Sequence, residues 1–354
     1  MSLSLQPLTS KEQLNRFLEE PERRPYATFF QTWEWGEFQR SRGHPIERLG
    51  VFDGSTLVAT ALTVEETDRF GPFLYSPRGP VVDYQDSSLT AKVLDLLRRE
   101  LGRHASNPVC LRLDPALGKD SMATKPFRRL GFRDAGRFTQ VERSWISELQ
   151  PGWEEQIEWQ RAHGMRSNLP RYLRRAEREG VVVRPGSNAD DLETFLDMLH
   201  HLDNRKHGIG LQSREYYRLQ FAAMAPSGYE RVFIAEHEGR PLASALIAIY
   251  GNEASYLWGA SYDRERELRA PHYMHFRIMR YAYEHGCRRY NFWGVVKPRN
   301  HHPGYRGYGY SEFKRSFGGN EELYQRSQDY VYRPLRYVLT YFNDVRRLRT
   351  AQLD

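Results

Sequence analysis

Cysteine is nearly absent: Cys110 and Cys287 are the only two in 354 residues. That excludes a disulfide framework and a cysteine zinc site, and it fits a reducing compartment. No apolar run reaches the roughly 18–20 residues that span a bilayer. The start, Met1-Ser-Leu-Ser-Leu-Gln, has no basic segment followed by an apolar one, so no signal peptide is expected and the predicted workplace is the cytoplasm. His272 and His275 are three apart and His301-His302 are adjacent. None has an acid or thiol partner at metal-ligand spacing, so they read as surface or loop histidines and no metal is expected. Acid is in deficit. The net charge of +7 points to an anionic partner (nucleic acid, a phosphorylated substrate or a membrane surface) without choosing among them.

What the chain does have is aromatic residues, at 13%, with 22 tyrosines. A hydrophobic share of 40% against 27% charged is that of a globular protein. The length suggests two domains. The densest feature lies late: Tyr290-Asn-Phe-Trp-Gly294, then Gly309-Tyr-Ser-Glu-Phe313-Lys314-Arg-Ser-Phe317-Gly318-Gly319. An aromatic strand runs into a glycine-broken loop, and a lone lysine follows between two phenylalanines. Gly294, Gly304, Gly307 and Gly309 would let backbone approach a ligand closely. An ammonium among apolar neighbours is costly unless something anionic pairs with it. The plain alternative is a loop with a snorkelling lysine.

One pattern is written twice. In the first copy, strands are expected at Leu49–Phe52 and Leu57–Val64 around an Asp53-Gly54 turn, then at Phe73–Tyr75. A helix over Leu89–His104 and a strand over Val109–Leu113 complete it. In the second, Arg231–Glu236 and Leu242–Tyr250 flank Glu238-Gly239. Ala254–Trp258, a helix over Pro271–His285 and Tyr290–Trp293 follow. The fold class is therefore α/β (α+β), with a mixed sheet and helices in each half. The expected division is 1–150, 151–330 and a C-terminal segment 331–354, with the boundary near 148–165, after a strand over Trp145–Leu149.

Arg161–Gly180 holds six arginines against Glu177 and Glu179. Arg171–Glu179 reads as a helix ended by Gly180, either a solvated face or a polyanion contact. Ala189–Asn204 reads as another helix. Pro334–Leu348 is amphipathic: Leu335, Val338, Leu339, Phe342 and Val345 follow helical spacing, and Arg346, Arg347 and Arg349 crowd its end. It suits either a helix docked on its own domain or one resting on a membrane surface.

Six blocks in order carry a resemblance: Gln31-Thr-Trp-Glu-Trp35, Tyr75-Ser-Pro-Arg-Gly-Pro80, Leu111-Arg-Leu-Asp114-Pro115, Met165 through Gly180, Tyr256-Leu-Trp-Gly-Ala-Ser261, and Tyr290–Gly294 with Phe313-Lys314. Across most of its length the chain resembles the FemABX family, the non-ribosomal peptidyltransferases of peptidoglycan bridge formation. The resemblance implies tandem GNAT-like domains. It also implies transfer of an amino acid from aminoacyl-tRNA to the stem-peptide amine of a peptidoglycan precursor, either lipid II or UDP-MurNAc-pentapeptide. No two helices are long enough for the coiled-coil arm of some members, so the chain resembles the armless type.

The implied reaction is aminolysis of an ester, which needs positioning, a proton acceptor and oxyanion stabilisation. Lys314 matches the lysine of the family's Phe-Lys pair and would stabilise the oxyanion or the tRNA 3′ end. Phe313 would wall the pocket and stack on the terminal adenine. Asp114 matches a cleft carboxylate, as a general base or simply a strand terminator. The family's precursor site holds pyrophosphate with cations, for which Arg40 or Gln39, Arg78, and Gln212 or Arg214 are the candidates. Tyr216 and Tyr256 match cleft aromatics. Arg171, Arg174, Arg175 and Arg178 are the expected tRNA contacts. No cofactor beyond the donor is implied. A lipid-linked acceptor, peripheral membrane contact through the C-terminal helix and a monomer are the remaining expectations. An acyl-CoA N-acyltransferase is disfavoured, because neither Ser261–Pro271 nor Tyr84–Ser88 contains the glycines that cradle a pyrophosphate. A non-catalytic nucleic-acid-binding module would leave the Phe313-Lys314 segment unexplained.

Overall fold

The structure, a computed structural model, describes residues 3–186, 188–205 and 211–351, with side chains left out at 205 and 348–351. Part of the stretch leading to Gln212 (208–210) and the side chain of Arg349 therefore lie outside the described residues. Strands β1 (Leu3–Pro7), β2 (Ile46–Asp53), β3 (Thr56–Asp68), β4 (Gly71–Arg78), β5 (Val81–Val82), β6 (Cys110–Pro115) and β7 (Arg133–Asp134) come first. Then follow β8 (Arg143–Glu148), β9 (Val182–Pro185), β10 (Glu230–His237), β11 (Arg240–Tyr250), β12 (Glu253–Ser261), β13 (Arg289–Gly294), β14 (Asn320–Leu323) and β15 (Gln328–Val331). The helices are α1 (Lys11–Glu19), α2 (Trp33–Ser41), α3 (Ser87–Leu101), α4 (Lys125–Arg129), α5 (Trp153–Ala162) and α6 (Leu169–Arg178). The later ones are α7 (Ala189–Arg205), α8 (Arg214–Met224), α9 (Ala270–Glu284), α10 (Tyr308–Arg315) and α11 (Pro334–Ala351).

The chain forms two units, one of residues 1–142 with 323–354 and the other of residues 143–322. This shifts the expected division at both ends. The strand over Trp145–Leu149 does not close the first half: β8 pairs antiparallel with β13, Tyr290 opposite Ser147, inside the second sheet. Residues 323–330, expected in the second domain, belong to the first unit, where β15 pairs with both β6 and β7.

In the first unit the sheet order is β1-β2-β3-β4-β6-β15-β7, with β5 beside β3. In the second it is β14-β8-β13-β12-β11-β10-β9. Each contains the expected hairpin, strand, helix and strand, and in each the strands flanking the helix pair in parallel: β4 with β6 across α3, and β12 with β13 across α9. Hydrophobic spacing accounts for both crossovers. Val93, Leu94, Leu97 and Leu101 of α3 are buried against Leu111 and Leu113 of β6. Phe276, Ile278, Met279 and Ala282 of α9 are buried against Ala245, Ile247, Tyr290 and Phe292. Full burial of each such side chain stabilises by about 1.5–3 kcal/mol. Asp86 caps α3 by accepting from the Ser88 and Leu89 amides. The second sheet has helices on both faces: α6 and α9 on one, α7 and α8 with Phe195, Leu199 and Tyr217 on the other.

The two parallel pairings differ. β4 and β6 stay paired over five positions, from Leu74 opposite Leu111 to Arg78 opposite Pro115. β12 and β13 are paired only from Glu253–Arg289 to Ser255–Asn291 and are unpaired beyond it, although β12 runs on to Ser261 and β13 to Gly294. A bulge at Leu257 of β12, opposite Leu246 and Ile247 of β11, accompanies this on one side and an irregularity between Asn291 and Gly294 on the other. Trp293 holds φ 66° there, a costly conformation for a bulky residue.

Candidate active site

In the second unit, Lys314 lies beside the strand end Trp293-Gly294. It belongs to α10, not to a loop. Gly307 supplies the N-cap at φ 95°, and the Ser311 hydroxyl accepts the Val296 amide at 2.9 Å, holding the helix to the strand end. The lysine is not sandwiched between Phe313 and Phe317. Its Nζ donates to the Gly294 carbonyl at 2.8 Å and stands 5.7 and 5.2 Å from the ring centroids of Tyr256 and Tyr310. The side chain is 9% exposed, and burial pulls its pKa down to about 7. Near neutral pH this group can supply either a proton or a cation.

Phe313 turns into the core. Its ring makes edge contacts with His272, His275 and Phe317. This corrects the reading of His272 and His275 as surface or loop histidines. His275 is 1% exposed, its Nδ1 lies 2.7 Å from the Tyr290 hydroxyl, and burial lowers its pKa to about 3. His272 is lowered to about 4 by burial and by Arg269 and Arg166. Both are neutral packing residues at pH 7. A signal was present, since His275 shares the α9 face of Ile278, Met279 and Ala282. Tyr310 escaped sequence reasoning because Tyr308-Gly-Tyr-Ser looks like a loop. Of the remaining pair, His301 lies 3.1 Å from Glu312 and His302 is exposed.

The first unit holds a second polar cluster. Asp114, at the end of β6, is 1% exposed and accepts from the Tyr75 hydroxyl at 3.2 Å, while Gln140 donates to that hydroxyl at 3.3 Å. Arg78 Nη1 stands 3.7 Å from Asp114, its Nη2 donates to the Val141 carbonyl at 2.8 Å, and its guanidinium lies over Tyr324. Burial raises the Asp114 pKa, against the opposing pull of Arg78 and the Tyr75 hydroxyl. The Arg78 Nη1 nitrogen is buried with no hydrogen-bond acceptor among the described residues. Gln31 explains the first resemblance block. It donates to the Pro77 carbonyl at 2.5 Å and accepts the Leu62 amide at 2.9 Å, tying down the strand end that presents Arg78.

The other candidates scatter. Arg40 is exposed and held by Glu37 at 2.8 Å, and Gln39 is buried and accepts from Arg42 at 3.0 Å. Gln212 is exposed, with its amide donating to Tyr217, and Arg214 is engaged by Glu193 at 3.3 Å and Asp197 at 2.5 Å. Tyr216 packs beside Tyr217. These three belong to the α7–α8 face of the second sheet, whereas Lys314, Phe313 and Tyr256 belong with the α9 face. On α6, Leu169, Leu173 and Ala176 are buried, while Arg171, Arg174, Arg175 and Arg178 all face outward. Among the described residues no group of three His, Cys, Asp or Glu could hold a metal ion.

The GNAT acetyltransferase domain model matches residues 163–315, and the FemAB family model matches residues 9–224. The UDP-N-acetylmuramoylpentapeptide-lysine N(6)-alanyltransferase of Weissella viridescens is 23% identical over 81% of this chain and 86% of its own length. A lipid II:glycine glycyltransferase of Staphylococcus epidermidis is 23% identical over 83% and 85%. Aminoacyltransferase FemB of the same species is 23% identical over 97% and 98%. The crystal structure of FemX superposes with a TM-score of 0.84 at 18% identity, over 96% of this chain and 100% of that one. A tandem GNAT protein shares the fold more distantly, at a TM-score of 0.52. The family model alone spans more than half of the sequence, and the chain belongs to the FemAB family.

Proposed function

We propose that this aminoacyltransferase takes an amino acid from aminoacyl-tRNA and joins it to the stem-peptide amine of a peptidoglycan precursor, lipid-linked in preference to nucleotide-linked. The observation that carries the reading is Lys314: a buried lysine with a pKa near 7, bonded to Gly294 beyond the point where β12 and β13 cease to pair. The curated relatives are named as alanyl-, glycyl- and aminoacyltransferases, two of them by precursors of the wall.

The amine attacks the ester carbonyl, its carbon becomes tetrahedral, and charge collects on the carbonyl oxygen. A protonated Lys314 in a water-poor site stabilises that charge far better than a solvated lysine would. As the tetrahedral centre collapses, the tRNA ribose hydroxyl leaves and needs a proton. An ammonium with a pKa near 7 can supply it, and the neutral amine it becomes can take up the proton that the attacking nitrogen sheds as the amide forms. Within the first unit, taken by itself, the Arg78 Nη1 donor without an acceptor suits an anionic oxygen of a precursor, and the neighbouring Asp114 carboxyl suits an amine. Arg214 is already neutralised by Glu193 and Asp197, which weakens the case for a nucleotide diphosphate at α8. The reaction draws on no cofactor, because the ester is already activated. The chain is expected to act as a monomer in the cytoplasm. The assay is transfer of labelled amino acid from a panel of charged tRNAs to lipid II and to UDP-MurNAc-pentapeptide, with acetyl-CoA as a competing donor. Product on lipid II from charged tRNA is expected. Transfer from acetyl-CoA alone would overturn the reading.

A further inference from the structure

Helix α11 docks on its unit by its polar side. Tyr337, Thr340 and Asp344 are buried. The Tyr337 hydroxyl donates to Asp329 at 3.0 Å, and Asp344 accepts from Arg112 at 2.8 Å and forms an ion pair with Arg137 at 3.0 Å. At 100° per residue the opposite side carries the apolar stripe. There Leu335 is 88%, Phe342 66%, Leu339 50% and Val338 49% exposed. A helix that merely braced its domain would turn that stripe inward. Four such side chains in one line are more than scattered surface hydrophobics.

Along the helix the exposed charges have one sign. Arg333 and Arg336 are exposed at its start and Arg346 and Arg347 at its end. The helix's single acid, Asp344, is buried against Arg112 and Arg137. Gly71, which opens β4 opposite its strand partner Asp68 and near the exposed Arg69, lies close to the Arg336 guanidinium. A second copy of the same helix would bring arginines against arginines with no exposed acid on either helix to meet them. A bilayer with anionic headgroups meets both features at once: apolar side chains enter the acyl boundary and the arginines meet phosphate. No described helix is long and apolar enough to cross the membrane.

We infer that the outer face of α11 is a docking surface for an anionic phospholipid bilayer, on which the helix lies flat. The inference stands apart from the identity of the acceptor, because it needs no substrate to be tested. Deleting the helix would strip Arg112 of Asp344, so the test uses outward-facing substitutions. Full-length protein is floated with vesicles containing phosphatidylglycerol and with phosphatidylcholine alone, and its sedimentation is measured without lipid. Binding to the anionic vesicles only is expected. Leu339→Asp with Phe342→Asp should lower the bound fraction roughly tenfold or more, with the melting temperature preserved. Arg336→Glu should weaken binding and reduce its salt dependence. Absence from anionic vesicles, or binding unchanged in the double variant, would overturn the inference. A dimer lost in the double variant would assign the face to a second copy and overturn it equally.

Discussion

Lys314 brings an ammonium into a site that offers one carbonyl and two tyrosine rings and, among the described residues, no carboxylate within ion-pair distance. Its folded pKa of about 7 lies below the unfolded value of 10.5. Below about pH 7 the native state must bury the charge, and the full penalty is present. Between about 7 and 10.5 the unfolded chain holds the proton and the native one does not, so the penalty is relieved as the pH rises. Lys314→Met keeps the bulk and removes the charge. It should raise stability by on the order of a few kcal/mol at pH 6–7, with the gain vanishing toward pH 10, while transfer falls by several orders of magnitude. Denaturant melts across this range, alongside single-turnover transfer, make the check. A variant that is destabilised at pH 6, or one that still turns over normally, would remove Lys314 from the mechanism.

Helix α6 shows how one element divides its labour. Leu169, Leu173 and Ala176 hold it to α9, and the four arginines point outward, Arg171 beside the Tyr172 ring and Arg178 paired with Glu179. Arg174→Glu with Arg175→Glu should therefore leave the fold unchanged, weaken tRNA binding by roughly tenfold or more and flatten its dependence on salt. An unchanged slope of log affinity against log salt would make this face merely solvated. The sequence was most legible where periodicity is strong. Both hairpin-strand-helix-strand runs lie within a few residues of their expected bounds, because the 3.6 and 2.0 periods of buried side chains mark them. α10 was missed, since two glycines and three tyrosines in Tyr305–Tyr310 resemble a loop. What makes it a helix is its packing: Ser311 on the Val296 amide, and Lys314 on the Gly294 carbonyl. At the site, the lysine and Tyr256 were identifiable, but the end of β12–β13 pairing was not. Strand separation is set by bulges and by Trp293 at φ 66°, and neither leaves a pattern in composition.

At the scale of the whole chain, the two units are written differently in sequence. The second runs unbroken from 143 to 322. The first is interrupted: β15 stands between β6 and β7 in its sheet, yet comes from beyond the second unit. Asp329 on that strand and Asp344 on α11 are the two carboxylates that bond Arg112, a side chain 1% exposed. No local pattern announces such a return, because the strand spans only four residues, Gln-Asp-Tyr-Val, and its partners lie about two hundred positions back. The consequence is asymmetric. A fragment of residues 143–322 keeps all its sheet neighbours and should fold alone, with a cooperative melt and dispersed amide resonances. A fragment of residues 1–142 keeps the buried Arg112 without either acid and loses the strand between β6 and β7. Leaving such a charge uncompensated costs about 3–5 kcal/mol, a large part of a domain's stability, so this fragment should be unfolded or aggregate. Adding residues 323–354 as a separate peptide should restore its structure. A stable, cooperatively melting 1–142 would show that β15 and α11 are accessories, and that the Arg112 network does not hold the first unit together.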